Sequence, residues 1–351
     1  MMKIHIIYDF KDGPYGGGNQ FLKALRTEYE KIGVYTNNPK YADIYLFSGY
    51  PFPDFSLVNR LHRIKLKNAD KLFIFRLDGP ILYLRGKHKH YDFMLKEICR
   101  NYMDGIIFQS QWSRRKNREL TGIYALFEKV INNAADNKIF NPKNRLPFIN
   151  GRKIKIIATS WSDNIRKGFD AYCYLDKHLD WSRYEMTFVG NSPVVFKNIN
   201  NVKPLCSVDL AQLLKQHDIY LTASRSDPCS NSLIEALSCG LPAVALDDGG
   251  HSELLGKGGI LFRKMEEIPA RINSLVNSYE SYRRKIPNHD IRRVAYMYLE
   301  FCKNIKKNLD TDKKDLPKLS VINFHYQKLR SYNYFFGLFI RLYRRLHFSV
   351  W

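Results

Sequence analysis

Residues Asp218–Gly250 read DIYLTASRSDPCSNSLIEALSCGLPAVALDDGG. An apolar run, Ile219–Ala223, leads into a polar segment rich in Ser, Asp, Pro and Asn. A short helical pattern follows, ends at Gly240, and is succeeded by a second apolar run, Ala243–Leu246. Short apolar runs bounded by turn residues are typical of buried strands. The order predicts one strand, loop, helix, strand unit.

Two acidic residues flank the start of this predicted helix. Asp227 precedes it and Glu235 lies in its first turn. Backbone N–H groups at a helix start have no intrahelical acceptor and lie at the positive end of the helix dipole, so they can receive an anion such as a pyrophosphate. A carboxylate beside them can accept two hydrogen bonds from a sugar or ribose diol. The segment therefore suits a nucleotide-sugar, and its candidate contacts between the two acidic residues are Cys229, Ser230, Asn231 and Ser232.

A purely structural interpretation accounts for the same residues. Ser232 followed three residues later by Glu235 is also a capping box, in which both side chains satisfy N–H groups at the helix start. Asp227-Pro228 is also compatible with an ordinary turn. Taken alone, these residues favour the structural interpretation.

The segment resembles the motif of retaining glycosyltransferases of family four in the GT-B class. In that motif two glutamates enclose seven residues, and Ala-Leu, a small residue, Gly, an apolar residue and Pro-Val follow. Here Asp227 and seven further residues precede Glu235-Ala236-Leu237-Ser238-Cys239-Gly240-Leu241-Pro242. The resemblance implies that Glu235 binds the nucleotide ribose and that Asp227 contacts the transferred sugar. Because Asp is one methylene shorter than Glu, the sugar specificity of this chain can differ from that of the family.

Composition restricts the class of protein. The 351 residues are 45% hydrophobic, which is enough for a large core divided between two domains. Lys and Arg number 56 against 34 acidic residues, a formal net charge of +22. Such a charge favours anionic partners: nucleotide diphosphates, an anionic membrane surface or nucleic acid. A solubilising surface charge explains part of the excess.

Three features indicate a cytoplasmic chain. The six cysteines lack CxxC or Cys/His metal spacing, which indicates reduced thiols. The opening MMKIHIIYDF has an apolar run cut off by Asp9, which predicts a first strand and no signal peptide. The apolar run Tyr334–Ile340 is shorter than the roughly 20 residues of a spanning helix.

The N-terminal part, residues 1–148, is predicted to be one Rossmann-like domain. Strands alternating with helices predict a doubly wound parallel sheet, in which ligands bind beyond the carboxyl ends of the strands. The predicted strands are Lys3–Tyr8, Asp43–Phe47, Leu72–Leu77, Gly105–Gln109 and Lys129–Asn132.

A glycine-rich loop follows the first of these strands. Gly16, Gly17 and Gly18 precede a predicted helix, Asn19–Lys31, and let the backbone approach a bound group closely. Their spacing is not that of a P-loop or a dinucleotide fingerprint, and a flexible turn is the alternative. In family-four enzymes a Gly-Gly loop at this place faces the donor, so the resemblance implies donor contact here.

Asp78 follows the third predicted strand in the segment RLDGP. The resemblance implies that it borders the acceptor and the reacting sugar. There it can orient an acceptor hydroxyl or stabilise positive charge at the anomeric carbon. An Asp-Gly-Pro turn accounts for the segment equally well.

A second Rossmann-like domain is predicted for residues 149–310, after a polar linker, Asn132–Gly151. Its further strands are predicted at Ile154–Thr159, Met186–Gly190 and Gly258–Phe262. The two strands of the opening segment complete the set.

Three positions of the second domain match donor contacts of the family. Lys167 stands in a Lys-Gly pair. In the family, the lysine of this pair contacts the donor diphosphate, where its ammonium offsets negative charge on the leaving group. The family often has an Arg six residues earlier; Trp161 occupies that place, and Arg166 is the candidate substitute. The Gly190-Asn191 turn falls where these enzymes place the nucleotide base.

Residues 311–351 form a basic aromatic tail that is predicted to be helical. Its end, Asn333–Trp351, places aromatic and apolar residues at helical spacing beside several arginines. One interpretation is a helix in the plane of an anionic membrane, which would put the protein peripherally on the inner membrane face. The other is a helix that packs back on the N-terminal domain, and we favour it.

The resemblance implies a retaining glycosyltransferase of the GT-B class, with two Rossmann-like domains facing a cleft. Its donor is a nucleoside diphosphate sugar, and its acceptor is a hydroxyl of a glycan or glycolipid. The implied reaction is a front-face attack. No Asp-x-Asp motif stands where a metal would be held, so we predict transfer without a metal or other cofactor.

Two other classes of protein stay open. A nucleotide-sugar epimerase or a phosphorylase can use the same architecture. A nucleic-acid-binding protein fits the charge, but no recognition motif of that class is present, so nucleic acid is the less favoured partner.

Overall fold

The computed structural model describes residues 2–13, 15–49, 56–149 and 151–311. The first part of the chain forms a parallel sheet of five strands: β1 (Ile4–Ile7), β2 (Ile44–Phe47), β3 (Leu72–Leu77), β4 (Gly105–Phe108) and β5 (Phe127–Val130). The helices of this domain are α1 (Gly17–Lys31), α2 (Ser56–Lys67), α3 (Ile81–Arg85), α4 (Lys89–Tyr102) and α5 (Gln111–Thr121).

The direction of winding reverses at β1. The strands lie in the order β1-β2-β3-β4-β5, and a single parallel bridge joins Ile4 to Tyr35 on the other side of β1. The chain therefore passes through α1 to one edge of β1 and returns to the opposite edge as β2. Ligands of doubly wound sheets bind at such a reversal, beyond the carboxyl ends of the strands. The glycine loop lies at that position.

The second part of the chain forms a parallel sheet of six strands: β6 (Ile154–Ser160), β7 (Tyr184–Gly190), β8 (Asn200–Val202), β9 (Ile219–Thr222), β10 (Ala243–Leu246) and β11 (Gly259–Phe262). Its helices are α6 (Phe169–His178), α7 (Ser207–Lys215), α8 (Asn231–Ser238), α9 (His251–Leu255), α10 (Ile268–Asn277), α11 (Tyr279–Arg284) and α12 (Ile291–Thr311).

The second sheet also reverses its winding. Its order is β11-β10-β9-β6-β7-β8, so the chain turns back between β6 and β9. Both faces are covered: Ile219 and Leu221 of β9 lie in one apolar core, and Tyr220 lies in the other, against α8. Successive side chains of a strand point to opposite faces, which explains why the strand is a continuous apolar run.

The predicted architecture of two doubly wound parallel-sheet domains is confirmed. The predicted strands appear with their ends shifted by up to two residues; β5, for example, begins at Phe127 instead of Lys129. One strand, β8, was not predicted. It is only three residues long, reads Asn-Asn-Val and lies at the sheet edge, so it lacks the apolar run that signals a buried strand.

The chain crosses twice between the two domains. On the first crossing, Ala135 and Phe140 of the predicted linker are buried in the second domain's core. On the second, α12 returns to the first domain: the ring of Tyr298 lies 6.3 Å from that of Phe21. Ile305 of α12 lies close to Gly105: a Cβ atom added to Gly105 would be 2.7 Å from the Cδ1 of Ile305. The chain as far as Asn308 forms one compact unit.

The predicted tail lies outside the described residues from residue 312 onward, so its helix, its packing on the N-terminal domain and its membrane contact stay predictions. None of the helices within the described ranges has the length and apolar character needed to cross a membrane.

Candidate functional site

A cavity of about 330 Å³ lies between the carboxyl ends of the two sheets. The first domain contributes the glycine loop with Tyr15, and the ends of β3 and β4 with Asp78 and Gln109. The second domain contributes the segments after β6, β7 and β9. The volume is within the range of pockets that hold small ligands and cofactors.

Most of the predicted site residues line this cavity. The structure brings together the acidic pair, the lysine, the glycines and the start of α8: Gly16, Gly17, Gly18, Asp78, Lys167, Gly190, Asp227, Cys229, Asn231, Ser232 and Glu235. Residues separated by more than 200 positions in the sequence thus share one wall or face each other across it.

Three predicted donor contacts do not line the cavity: Arg166, Asn191 and Ser230. The guanidinium of Arg166 lies against the first domain, where a Cβ atom at Gly86 would be 3.2 Å from its Nη2. The Nδ2 of Asn191 donates to the carbonyl of Trp161, 2.6 Å away. Ser230 is buried as the N-cap of α8, and its Oγ accepts from the N–H of Leu233 at 3.4 Å. Each side chain is turned to a neighbour instead of the cavity.

The same cap shows that the capping-box interpretation was wrong. Because α8 begins at Asn231 after Ser230, Glu235 lies beyond the capping position. Ser232 does not cap the helix; its Oγ lies 3.1 Å from that of Ser230. The Glu235 carboxylate makes no hydrogen bond within the described residues and borders the cavity. Burial raises its pKa to about 8, so the site holds a carboxyl group that a ligand can satisfy.

Lys167 and Asp227 form an ion pair in the cavity wall. The Nζ of Lys167 lies 3.0 Å from the Oδ2 of Asp227, and the N–H of Cys229 donates to Oδ1 at 3.3 Å. Burial acts to raise the pKa of Asp227, but the ammonium of Lys167 opposes it and the net pKa is below its usual value. The two carboxyl groups of the motif therefore differ in charge state near neutral pH.

Asp78 is held firmly on the opposite wall. The buried guanidinium of Arg76 donates to Oδ1 of Asp78 at 3.2 Å and to the Oδ1 of Asn133 at 2.9 Å. The backbone carbonyl of Asp78 accepts from the Oγ of Ser113 at 3.0 Å and the Nδ2 of Asn117 at 2.8 Å. These contacts fix the position of the carboxylate more closely than an exposed turn would.

Sequence reasoning missed a pair of amides that joins the domains. The Nδ2 of Asn133 donates to the Oε1 of Gln109 at 2.9 Å and to the Oδ1 of Asn231, in the second domain, at 3.1 Å. Gln109 and Asn133 closely follow β4 and β5. Their position after parallel strands was the signal that would have identified them.

An aromatic pair was also missed. The rings of Tyr15 and Trp161, one from each domain, lie 5.0 Å apart. Both line the cavity and both are exposed, by 42% and 45% respectively. The pair therefore lies where the cavity meets solvent. No sequence spacing relates the two residues, so only the fold reveals the contact.

In the part of the chain that the structure describes, no group of three or more His, Cys, Asp or Glu side chains could hold a metal ion.

Sequence comparison with known proteins gives a family match and a relative with wide coverage. Residues 166–278 match the family described as Glycosyl transferases group 1. The chain is 26% identical over 330 residues to a probable sucrose-phosphate synthase of Thermosipho melanesiensis, covering 81% of this chain and 76% of the relative.

Two solved structures share the fold. The Anabaena protein HepE in complex with UDP and glucose superimposes with a TM-score of 0.62 at 16% identity, covering 89% of this chain and 100% of that one. A sucrose-phosphate synthase from Thermosynechococcus elongatus has a TM-score of 0.56 at 12% identity, covering 84% of this chain and 78% of that one. Together, the family match, the relative and the shared two-domain fold support a glycosyltransferase of the GT-B fold.

Proposed function

We propose that this glycosyltransferase moves a sugar from a nucleoside diphosphate sugar to a hydroxyl of a glycan or glycolipid, with retention of anomeric configuration. One observation carries the proposal. A single cavity brings the start of α8, the Lys167 ammonium and the Glu235 carboxylate together, opposite Asp78 of the first domain. A cation, a helix start and a diol acceptor are the groups that a sugar nucleotide needs.

The donor would lie mainly on the second domain. Its diphosphate would meet Lys167 and the start of α8, and its ribose diol would bind Glu235. The base would lie beyond the ribose, near Gly190 and the apolar residues Pro204 and Leu205, which also line the cavity. Since HepE was crystallised with UDP and glucose, UDP-glucose is the first donor to test.

The proposed reaction is an attack from the face that the diphosphate leaves. The acceptor oxygen forms a bond to the anomeric carbon while the bond from that carbon to the diphosphate breaks. The departing diphosphate oxygen takes the proton of the acceptor hydroxyl. Lys167 and the N–H groups of α8 stabilise the negative charge that develops on the diphosphate, and Asp78 orients the hydroxyl or stabilises positive charge on the sugar.

Lys167 and the start of α8 supply positive charge where a divalent metal would otherwise supply it. We therefore propose that transfer needs no metal ion and no further cofactor. Full activity is expected after incubation with EDTA. Activity that is lost with EDTA and restored by added Mg²⁺ would contradict this part of the proposal.

Two measurements test the proposed function. A thermal-shift screen against UDP-, GDP- and ADP-glucose should give a higher Tm with one of them, because a ligand that binds the native state stabilises it. Proton NMR should then show slow hydrolysis of that donor, with water as acceptor, to the nucleotide and α-glucose before mutarotation. First appearance of β-glucose would contradict retention. An epimerised sugar nucleotide without release of nucleotide would identify an epimerase.

A further inference from the structure

A carboxylate of the second domain caps a helix of the first. Glu253, in α9, accepts hydrogen bonds from the N–H groups of Gln111 and Trp112 at 2.8 and 3.0 Å. These two residues open α5, more than 140 positions earlier in the chain. A negative charge at a helix start satisfies N–H groups that lack intrahelical acceptors and interacts favourably with the helix dipole.

The capped helix is the one that positions Asp78. Ser113 and Asn117 of α5 donate to the backbone carbonyl of Asp78. Trp112 lies beside the next residue, Gly79, where an added Cβ atom would be 2.9 Å from its ring. A displacement of α5 would therefore displace Asp78.

The segment that precedes Glu253 holds the other acidic residue. The N–H of Gly250 donates to the backbone carbonyl of Asp227 at 2.8 Å. Gly249, at a φ of 65°, approaches so closely that a Cβ atom would lie 2.2 Å from that carbonyl oxygen. Only glycine tolerates both the positive φ and the contact. Residues 249–253 thus touch Asp227 at one end and the support of Asp78 at the other.

We propose that Glu253 is a positioning residue that fixes Asp78 relative to Asp227 across the cleft. It holds α5 against α9 and so keeps the cleft in its transferring geometry. This inference depends on the proposed function. The donor contacts assigned above lie mainly on the second domain, so loss of the Glu253 contact should change donor binding little. Transfer should depend on the contact, because it requires Asp78 and Asp227 at the correct positions on the two walls.

The test compares Glu253→Ala and Glu253→Gln with a control, Glu119→Ala. Glu119 is an exposed residue of α5 itself, and among the described residues its ion pairs are with Arg115 and Lys116 of the same helix. Glu253→Ala should lower kcat by roughly 10- to 100-fold, as misplacement of a reacting group does, and change the Kd for the donor less than threefold. Glu253→Gln keeps an acceptor oxygen and should recover part of kcat. The control should match the wild type.

Hydrogen exchange supplies a readout independent of activity. The amides of Gln111 and Trp112 should exchange faster in Glu253→Ala and show intermediate rates in Glu253→Gln. Unchanged exchange, or a kcat equal to that of the wild type, would overturn the inference. A wild-type protein that fails to bind any donor contradicts the proposed function instead, and the exchange rates then still decide whether Glu253 joins the domains.

Discussion

Gly17 of the first domain lies so close to Asn231 of the second that a Cβ atom on the glycine would be 2.5 Å from the Cβ of Asn231. No real Cβ contact is that short, so Gly17→Ala should push the walls of the cavity apart. We expect transfer activity to fall by about tenfold or more, as it does when reacting groups are misplaced.

Gly18→Ala is the matched control for that substitution. A Cβ atom at Gly18 meets no atom within 4 Å, although both glycines begin α1. Alanine also has the higher helix propensity, so Gly18→Ala should keep more activity than Gly17→Ala and gain up to about 1 kcal/mol in the free energy of unfolding. Steady-state kinetics and denaturant unfolding of the two variants check the pair. Equal activities would show that the contact does not constrain the cleft.

Glu235 should make the stability of the free protein depend on pH. Its pKa is about 8 in the folded state against an ordinary value of 4.5, so between these values the folded state binds more protons than the unfolded one. Its contribution to the free energy of unfolding is therefore greatest below pH 4.5 and declines as the pH rises through about 8. Glu235→Gln lacks this group, so its stability relative to the wild type should increase over that range. Urea unfolding at several pH values would reveal a constant difference if the prediction were wrong.

The same group should control donor affinity in the opposite sense. The ionised carboxylate is the stronger acceptor for a ribose diol, so the affinity for the donor should rise toward pH 8, by at most about tenfold per pH unit. A sugar nucleotide is the ligand of choice because its diphosphate is doubly substituted and keeps its charge over this range. Calorimetric titration should show this rise in the wild type and a weaker, pH-independent affinity in Glu235→Gln. Identical affinities for the two proteins would mean that Glu235 is not a donor contact.

Removal of Lys167 should affect both catalysis and Asp227. Lys167→Ala deletes the cation beside the diphosphate and leaves the Asp227 carboxylate without its ion-pair partner. We expect kcat/KM to fall by about 10²- to 10³-fold and the pKa of Asp227 to rise. Lys167→Arg should recover part of the activity, and Lys177→Ala, an exposed position on α6, should be neutral. Loss of activity in the Lys177 variant as well would point to overall charge rather than to this ion pair.

Trp161 should report donor binding by fluorescence. Its ring borders the cavity beside Tyr15, whereas Trp181 donates its Nε1–H to the carbonyl of Asp176 and does not line the cavity. A donor that enters the cavity should change the emission of the wild type and of Trp181→Phe, and should leave that of Trp161→Phe nearly unchanged. A signal retained by the Trp161 variant would place the donor elsewhere.

Several candidate residues of the second domain share one cavity because the motif that contains them is local. Asp227, Glu235 and the start of α8 come from one short segment, and their relation is set by one loop and one helical turn. Arg166 was predicted as a substitute for the family's arginine, Asn191 as part of the turn near the base, and Ser230 from its place between the two acidic residues. The direction of each of these side chains depends on partners that the motif does not contain, namely Gly86, Trp161 and the backbone of α8.

Contacts between the domains were beyond sequence reasoning. Asn133 with Asn231, Tyr15 with Trp161, and Glu253 with Gln111 join residues about 100 or more positions apart. No periodicity or spacing connects such residues. Their proximity follows from how two separately folded sheets meet, which is decided by many weak surface contacts at once.

The return of α12 has a consequence for synthesis on the ribosome. Phe21 and Gly105 belong to the domain that is translated first, yet the side chains that cover them, Tyr298 and Ile305, are translated near the end. The amino-terminal half therefore emerges with an uncovered apolar surface and acquires its last layer only after the carboxyl-terminal half has been made. A nascent chain arrested before α12 would expose that surface to chaperones, even though its own sheet is complete.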